Sequence, residues 1–440
     1  MRRPARGMTV AATYVAIVLG ALAACSVRTA AADSGTSVLA TTPWPMFGHD
    51  SKHTFRSSLL GPTTNHMLAR TRLGNIINSQ PAVSADGIFV FGGGGFATVG
   101  VRADGVLLWR TPVGAEAKFS GPALDTNGFL YIGGRDNKLW KKVVETGEPI
   151  CKRYIASDSD IDASPTISVT NPDRVYVTSD FHLYAIGVAG PNECNFVWQI
   201  GNSNGVKLST FTKSSVSLAD SSPGAGDSMG DLVVAAGQVV YRVHDAGSSA
   251  SIVASAQLDG RTKGPTPVIN PATGNIYIGD VNGRFYGLKP DLSSRLFTRQ
   301  LCNRIVSSAA LSPDGQTYYV PCWNGELHAV DALTGAERSG FPFSKPGNSY
   351  RAYGYAPSVD AAGVIYAGGK DKFLRAILPN GTERWESKFS SQLVGPVIVD
   401  GGLAIPAVDG FMYRFCPDPN PKDPPTAVHV CGFTIDTTSP

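Results

Sequence analysis

Eight copies of one sequence unit fill most of the chain, and this repeat constrains the fold more than any other feature. Each copy has a short, usually proline-led apolar stretch, then a turn, then a run rich in aromatic and β-branched residues. Clear examples are "SGPALDTNGFLYIGG" from Ser120 and "GPTPVINPATGNIYIGD" from Gly264. The equivalent landmark positions are Pro81, Pro122, Pro165, Val216, Pro267, Ala309, Pro357 and Pro396. Steps of 39 to 51 residues between landmarks match the length of a four-stranded propeller blade.

Each unit can be divided into four strands. Asp86-Gly87, Asn127-Gly128 and Asp314-Gly315 supply dipeptides that favour tight turns between the first two strands. Third strands such as "FHLYAIG" and "GRFYGLK" alternate in polarity, as a half-buried strand requires. The fold class predicted is therefore all-β, an eight-bladed β-propeller. A seven-bladed ring is the alternative, because "SSPGAGDSMGD" interrupts the fourth copy.

The last unit lacks a fourth strand of its own. The segment "MLARTRLGN", Met67 to Asn75, precedes the first unit and is similar to the fourth-strand segments. We expect it to pair with blade eight, so that an N-terminal strand closes the ring and removes the exposed edges. The preceding segment "WPMFGHDSKHTFRS", Trp44 to Ser57, is expected to pack on the outside of the ring.

The N-terminus has the pattern of an export signal. A basic start is followed by an apolar run from Met8 to Cys25, too short to span a bilayer. Leu22-Ala23-Ala24-Cys25 resembles the lipobox of bacterial lipoproteins, which makes Cys25 the predicted lipidation site. Ordinary cleavage near Ala30 to Ala32 is the alternative and would remove Cys25. The predicted organisation is a signal peptide (1–25), a flexible tether (26–43), the propeller (44–415) and a Pro-rich tail (416–440).

Composition agrees with an exported β protein. Glycine (49) and proline (30) are abundant, only 17% of residues are charged, and the net charge of +3 gives no footprint for nucleic acid. Besides Cys25 there are six cysteines, an even number that favours disulfides in an exported chain. The pairs expected are Cys151–Cys194, Cys302–Cys322 on neighbouring strands of one blade, and Cys416–Cys431, which would fix the tail to blade eight. The absence of a Cys-x-x-Cys pair argues against zinc.

Several segments resemble a known family. "WPMFGHDSKHTFRS" is similar to the opening segment of PQQ-like repeat propellers, and "TYYVPCWNGELHAVDALTGAE" is similar to their repeat. The resemblance covers about Trp44 to Phe415 and implies an eight-bladed propeller. One branch of the family contains the quinoprotein dehydrogenases, which use PQQ and calcium in the channel. The other is non-enzymatic and includes BamB-type lipoproteins of outer-membrane barrel assembly.

Three motifs suggest chemistry only weakly. His49 and His53 are spaced for a metal on a helix, but Gly48 favours a loop with surface histidines. "DSDID", Asp158 to Asp162, lacks the glycine and distal glutamate of an EF-hand and is expected to be a solvated loop. "FGGGGFATVG", Phe91 to Gly100, precedes no helix and is expected to be a β-turn. No adjacent cysteines occur, although the quinoprotein alcohol dehydrogenases carry such a pair.

The predicted function is therefore a non-catalytic binding or scaffold propeller of the cell envelope, with protein partners and a membrane-attached lipid anchor. The alternative is a PQQ- and calcium-dependent dehydrogenase. Candidate binding residues are Tyr350, Arg351 and Tyr353, which lie with Tyr355 in "KPGNSYRAYGYAP". Exposed tyrosine and arginine are favoured anchors at interfaces. Packing of these tyrosines between blades is the alternative.

Overall fold

Short antiparallel sheets account for nearly all regular structure in the computed structural model. The model describes residues 37–74, 77–93, 96–114, 119–155, 160–179, 181–190, 192–200, 203–208, 210–219, 230–345, 355–416, 427–430 and 433–436. The predicted signal peptide and most of the predicted tether, with Cys25, lie outside these ranges. Within them, no helix is long and apolar enough to cross a bilayer.

Eight sheets correspond to the eight sequence units and form the blades of a β-propeller. The eight-bladed prediction is confirmed, including the degraded fourth copy. Blades one to four consist, in turn, of β2 (Ala82–Val83), β3 (Phe89–Gly93), β4 (Ala97–Val101) and β5 (Leu107–Pro112); β6 (Ala123–Leu124), β7 (Phe129–Gly133), β8 (Lys138–Val143) and β9 (Pro149–Tyr154); β10 (Thr166–Ile167), β11 (Arg174–Ser179), β12 (His182–Gly187) and β13 (Asn195–Phe196); β17 (Ser217–Ala219), β18 (Asp231–Ala236), β19 (Val239–Asp245) and β20 (Ala250–Gln257). Three short strands accompany blade three: β14 (Gln199–Ile200), which pairs with β15 (Ser203–Asn204), and β16 (Val206–Lys207), which pairs with β12.

The remaining blades follow the same plan. Their strands are β21 (Val268–Ile269), β22 (Ile276–Gly279), β23 (Arg284–Leu288) and β24 (Arg295–Gln300); β25 (Ala310–Leu311), β26 (Thr317–Pro321) and β27 (Leu327–Asp331); β28 (Ser358–Val359), β29 (Ile365–Gly368), β30 (Phe373–Ile377) and β31 (Glu383–Lys388); β32 (Val397–Val399), β33 (Gly402–Pro406) and β34 (Phe411–Phe415), with β1 (Met67–Arg72) as the fourth strand of blade eight. In blade six the outer position is taken by the isolated bridges Val330–Glu337 and Leu327–Phe343. A separate hairpin joins β35 (Ala427–Val430) and β36 (Phe433–Asp436).

The N-terminal strand closes the ring as predicted. β1 pairs antiparallel with β34, with Ala69 opposite Arg414 and Arg72 opposite Phe411. The guanidinium of Arg70 lies 3.8 Å from the centroid of the Phe411 ring, a cation–π contact on the outer surface of the joint. The chain therefore completes blade eight with a strand that lies more than 300 residues earlier in the sequence.

Burial follows the order of strands in each blade. The first strands are fully buried and those of adjacent blades contact each other, so they line the axis of the ring. The fourth strands alternate between exposed and covered residues, as in Leu107–Pro112, because one side faces solvent. Apolar clusters fill the spaces between blades, and one of them joins blades seven, eight and one at the closure.

Two disulfides each join adjacent blades, in the pairs expected. Cys151 lies on β9 and bonds to Cys194 just before β13, which connects blade two to blade three. Cys302 follows β24 of blade five, whereas Cys322 follows β26 of blade six. The expectation that Cys302 and Cys322 lie within one blade was wrong, because the end of one outer strand reaches the second strand of the next blade. Cys416 is disulfide-bonded as well, and its predicted partner Cys431 lies outside the described residues.

Candidate functional site

Residues 37–61, which we call the N-terminal plug, cross the axis of the ring and contact every blade. Backbone amides of the blades donate to plug carbonyls, beginning with Asp173 to Ser37 and ending with Gly401 to Leu60. Between these, six further amides of the first strands donate to plug carbonyls: Val83 to Trp44 (2.7 Å), Leu124 to Pro45 (2.8 Å), Leu218 to Ser51 (2.8 Å), Ile269 to Lys52 (3.0 Å), Leu311 to Thr54 (2.9 Å) and Val359 to Phe55 (2.9 Å). The expectation that Trp44 to Ser57 packs on the outside was wrong. The first strands expose unpaired backbone groups to the channel, and the plug satisfies them.

The centre of the plug is a tight, non-helical coil. Positive φ angles occur at Gly48, His49, His53 and Phe55, and the amide of Phe55 closes the coil by donating to the carbonyl of Gly48 at 2.9 Å. A Cβ on Gly48 would lie 2.8 Å from the His53 ring, so this position requires glycine. The carboxylate of Asp50 accepts the amides of Lys52 and Thr54 and the Thr54 hydroxyl. Gly48 and Asp50 in "FGHDSKHTF" therefore stabilise the tight turn of the plug.

The two histidines of the plug do not form a metal site. His53 is fully buried, and its Nδ1 lies 3.2 Å from the Ser217 hydroxyl of blade four. His49 stacks edge-on against Trp44, with ring centroids 4.8 Å apart. The expectation of surface histidines was wrong for His53, because the plug lies inside the ring. Burial lowers the pKa of His53 to about 4, although the charge of Asp50 acts in the opposite direction.

Above the plug, the channel opens as a blind pocket of about 490 Å³, which we call the cup. Phe47 of the plug belongs to its lining, together with the segments that enter the first strands and three loops between second and third strands. Its main side chains are Phe47, Asn78, Phe119, Arg135, Asp162, Lys213, Lys263, Arg304, Trp323, Tyr355 and Lys370. Seven blades and the plug contribute to this surface, so it exists only in the closed ring.

A belt of hydroxyl groups fixes the wall of the cup. The amide of Ser164 donates to the Ser215 hydroxyl at 3.0 Å, that of Ser215 to the Thr266 hydroxyl at 3.1 Å, and that of Thr266 to the Ser308 hydroxyl at 2.9 Å. Each belongs to the residue before a landmark position, and each bond joins one blade to the next. Since every hydroxyl is buried and satisfied, the lining segments are held rigidly relative to one another.

The cup is strongly basic although the chain as a whole is nearly neutral. Arg135, Lys213, Lys263, Arg304 and Lys370 line it, whereas Asp162 is the one carboxylate among the described lining residues. Asp162 is already bonded to two of the cations, at 3.1 Å to Nε of Arg135 and by an ion pair to Lys213. Excess positive charge therefore faces the cavity.

Trp323 forms part of the wall between two cations. Nζ of Lys370 lies 4.3 Å from the centroid of its ring, and Cζ of Arg304 lies 5.4 Å from it. The amide of Trp323 donates to the carbonyl of Arg304 at 2.9 Å, and the Cys302–Cys322 disulfide lies directly beside both residues in the sequence. Contact with the aromatic ring partly stabilises both charges, and Trp323 adds apolar surface to the lining of the cup.

The described residues do not fit a calcium–quinone pair. Calcium requires six to eight oxygen ligands, chiefly carboxylates and carbonyls. Within the described ranges, no group of three or more His, Cys, Asp or Glu side chains could hold a metal ion. The single lining carboxylate, Asp162, is engaged by Arg135 and Lys213. We therefore derive no reaction through these groups.

Of the other residues predicted from the sequence, some lie outside the described residues and one lines the cup. Tyr350, Arg351 and Tyr353 lie outside the described residues, whereas Tyr355 lines the cup and donates from its hydroxyl to Asn78 at 3.0 Å. Burial raises the pKa of Tyr355 to about 12, so its hydroxyl stays protonated at neutral pH. In the segment 91–100, Phe91–Gly93 belong to β3 and Ala97–Gly100 to β4, and the two strands pair antiparallel, whereas Gly94 and Gly95 lie outside the described residues. In "DSDID", Asp160 and Asp162 pair with Arg135.

Sequence reasoning missed the cations of the cup. The repeat contains a signal that locates part of its lining, because Asn78, Phe119, Asp162 and Lys213 each lie three residues before their landmark. Residues at equivalent positions of a closed ring must meet around its axis. Aligning the side chains at this offset predicts the rim, although it does not give the loop residues Arg135, Trp323 and Lys370.

Comparisons with known proteins agree with this architecture. Residues 228–407 match the family model described as "Outer membrane protein assembly factor BamB". No curated protein matches the sequence significantly. BamB from Moraxella catarrhalis has a similar structure, with a TM-score of 0.60, 16% identity, and coverage of 79% of this chain and 98% of that one.

Two solved enzymes share the fold to the same degree. A europium-containing methanol dehydrogenase has a TM-score of 0.64 at 13% identity, with 83% of this chain and 90% of that chain covered. The quinohemoprotein alcohol dehydrogenase from Comamonas testosteroni has a TM-score of 0.62 at 12% identity, with 86% and 82% covered. At such identities these likenesses show the fold alone. The chain is an eight-bladed β-propeller, and its residues 228–407 match a family of PQQ-like repeats.

Proposed function

We propose that this chain is an exported, non-catalytic propeller of the cell envelope that holds protein partners, and that its context is the assembly of outer-membrane proteins. The observation that carries the proposal is the cup: a rigid, basic and aromatic surface built on a plugged channel. The match of residues 228–407 to the BamB family model supports the context. The inter-blade disulfides Cys151–Cys194 and Cys302–Cys322 support export, because such bonds persist in oxidising compartments.

Attachment to the membrane is part of the same proposal. Lipidation of Cys25 would leave a tether that ends before Ser37, because the plug begins there and is bonded to the blades; the predicted end of the tether at residue 43 was too late. A flexible chain of that length reaches about 20 Å, from roughly 5–6 Å times the square root of its length. The propeller would then work close to the membrane. Metabolic labelling with palmitate tests this point: the wild-type chain takes up label and Cys25→Ser does not. Cleavage near Ala30 to Ala32, detected by mass spectrometry of the mature N-terminus, would contradict it.

The function itself is tested by two assays on the full chain. In the first, crosslinking in intact cells followed by purification identifies envelope proteins bound to it, with an unrelated exported protein as control. In the second, the purified protein receives PQQ and calcium, and dye reduction is followed with primary alcohols and sugars. We expect specific partners in the first assay and no turnover in the second. Cofactor-dependent turnover without a specific partner would establish the alternative, a quinoprotein dehydrogenase.

A further inference from the structure

We infer that the cup binds an acidic, extended peptide segment of a partner protein. The inference rests on the proposed function and deepens it, since it gives the chemistry of the partner and the surface that receives it. Three features of the described residues carry it: cations without counterions, the elongated shape of the depression, and the aromatic wall.

The first feature is unbalanced charge. Arg261, Lys263 and Arg304 form no ion pair with any described residue, unlike Arg135 and Lys213, which share Asp162. Nε of Arg304 is buried and has no hydrogen-bond partner among the described residues. Arg304 lines both depressions, and its uncompensated guanidinium can pair with an incoming carboxylate. The ligand that completes the cup is therefore an anion.

The second feature is shape. A second depression of about 390 Å³ adjoins the cup, and the two share Lys213, Lys263, Gly264 and Arg304 in their linings. The adjoining depression adds Phe211, Ala235, Arg261 and Val281 of blades four and five to the surface, so that the combined depression is longer than the cup alone. A compact anion such as phosphate would contact only part of this surface. An extended chain with several carboxylates would follow it and meet the cations in succession.

The third feature is the apolar surface between the cations. Trp323 lies in the cup, and Phe211 lies in the adjoining depression near the ammonium of Lys213, at 5.7 Å from ring centroid to Nζ. Phe211 is 40% exposed. Aromatic side chains at such positions cover the backbone and apolar groups of a bound peptide, which a simple counterion does not need. Alternating cations and rings thus favour an acidic peptide over an inorganic anion.

The test uses the purified full chain and a fluorescently labelled peptide that contains several glutamates separated by small residues. Its neutral counterpart has glutamine in place of every glutamate. Binding is followed by fluorescence anisotropy over a range of salt concentrations. We expect the acidic peptide to bind, the neutral one not to bind, and the affinity to fall as salt rises, because exposed charges are screened.

The decisive variant is Lys263→Gln with Arg304→Gln. Its matched control is Lys289→Gln with Arg299→Gln, which removes the same charge from blade five outside the cup. The cup variant should bind the peptide roughly tenfold more weakly or worse, and the control within about twofold of wild type. Lys263→Glu alone, at an exposed position, serves as a second variant that should fold normally. Thermal unfolding checks that all variants are intact.

Four results would overturn the inference: equal loss in cup and control variants, equal binding of the neutral peptide, no binding of the acidic peptide, or binding of citrate and pyrophosphate in place of the peptide. Failure here leaves the proposed function open to its own test, since crosslinking in cells reports partners at any surface. Conversely, peptide binding in the absence of a cellular partner would support the inference that the cup binds acidic peptides and would contradict the proposed function in the cell envelope.

Discussion

The backbone amide of Trp323 donates a hydrogen bond to the carbonyl of Arg304 across the boundary between blades five and six. This bond brings an indole and a guanidinium together at the cup, and the Cys302–Cys322 disulfide lies one or two residues away on both sides. A covalent link between blades therefore supports the wall that we assign to peptide binding. Loss of this disulfide should therefore affect both the stability of the ring and the shape of the cup.

The two disulfides should differ in their effect on binding. Chain-entropy arguments for closed loops of 20 and 43 residues give a stabilisation of about 3 and about 4 kcal/mol. We expect Cys302→Ala with Cys322→Ala to lower both stability and peptide affinity. Cys151→Ala with Cys194→Ala should lower stability at least as much and leave affinity unchanged. Denaturant unfolding and anisotropy measure the two effects, and equal affinity losses would show that the disulfide has no special relation to the cup.

The plug should contribute strongly to stability. Trp44 is fully buried, and its carbonyl accepts the amide of Val83. Trp44→Ala should cost about 3–5 kcal/mol in free energy of unfolding, because it leaves a large cavity at the axis. Leu60→Ala is the control within the plug: Leu60 is 53% exposed, and the change should stay within about 0.5 kcal/mol. Similar small losses at both positions would mean that the plug is peripheral.

Acid should destabilise the ring through His53. Burial lowers its pKa to about 4 in the folded chain from 6.5 in the unfolded chain. Between these values the unfolded chain binds more protons, so the free energy of unfolding falls as pH drops from 6.5 towards 4, by at most about 3 kcal/mol from this group. His53→Gln should remove that part of the pH dependence in urea unfolding. An unchanged slope in the variant would assign the acid sensitivity to other groups.

A buried arginine lies where β34 pairs with β1, and replacing it tests whether a buried charge lowers the stability of this joint. Arg414 on β34 is fully buried, its Nε donates to the carbonyl of Ala103, and its guanidinium lies 4.5 Å from the centroid of the Phe89 ring. Its two terminal nitrogens have no hydrogen-bond partner among the described residues. Burial lowers its pKa to about 9, so it stays charged at neutral pH at a cost. Arg414→Met should leave the free energy of unfolding unchanged or raise it by about 1–4 kcal/mol. A clear drop, with Arg414→Lys less affected, would show that the charge itself stabilises the closure.

The sequence predicted the ring because the repeat carries local information. Landmarks such as Pro122 and turn dipeptides such as Asn127-Gly128 determine each blade independently, and the missing outer strand of blade eight led directly to Met67–Arg72. The plug could not be predicted in the same way. Its apolar residues Trp44 and Phe55 are compatible with packing on either side of a blade, and only the size of the closed channel decides between them. The cup depends on residues of seven blades. Arg135 and Lys370 each lie 13 residues after their landmarks, Pro122 and Pro357, so the repeat places them at equivalent loop positions, but the repeat does not reveal the plug that closes the channel below them.

One measurement tests most directly the claim that this is a binding propeller whose cup receives its partner. A photo-crosslinking phenylalanine derivative replaces Phe119, an exposed ring of the cup, and in a separate strain it replaces Lys289 outside the cup, so that the cations of the cup are kept. Irradiation of living cells should join an envelope protein to the chain from position 119, and the Arg304→Gln change should abolish that product. Crosslinks of equal yield from position 289, or none from position 119 while other positions capture partners, would contradict the account.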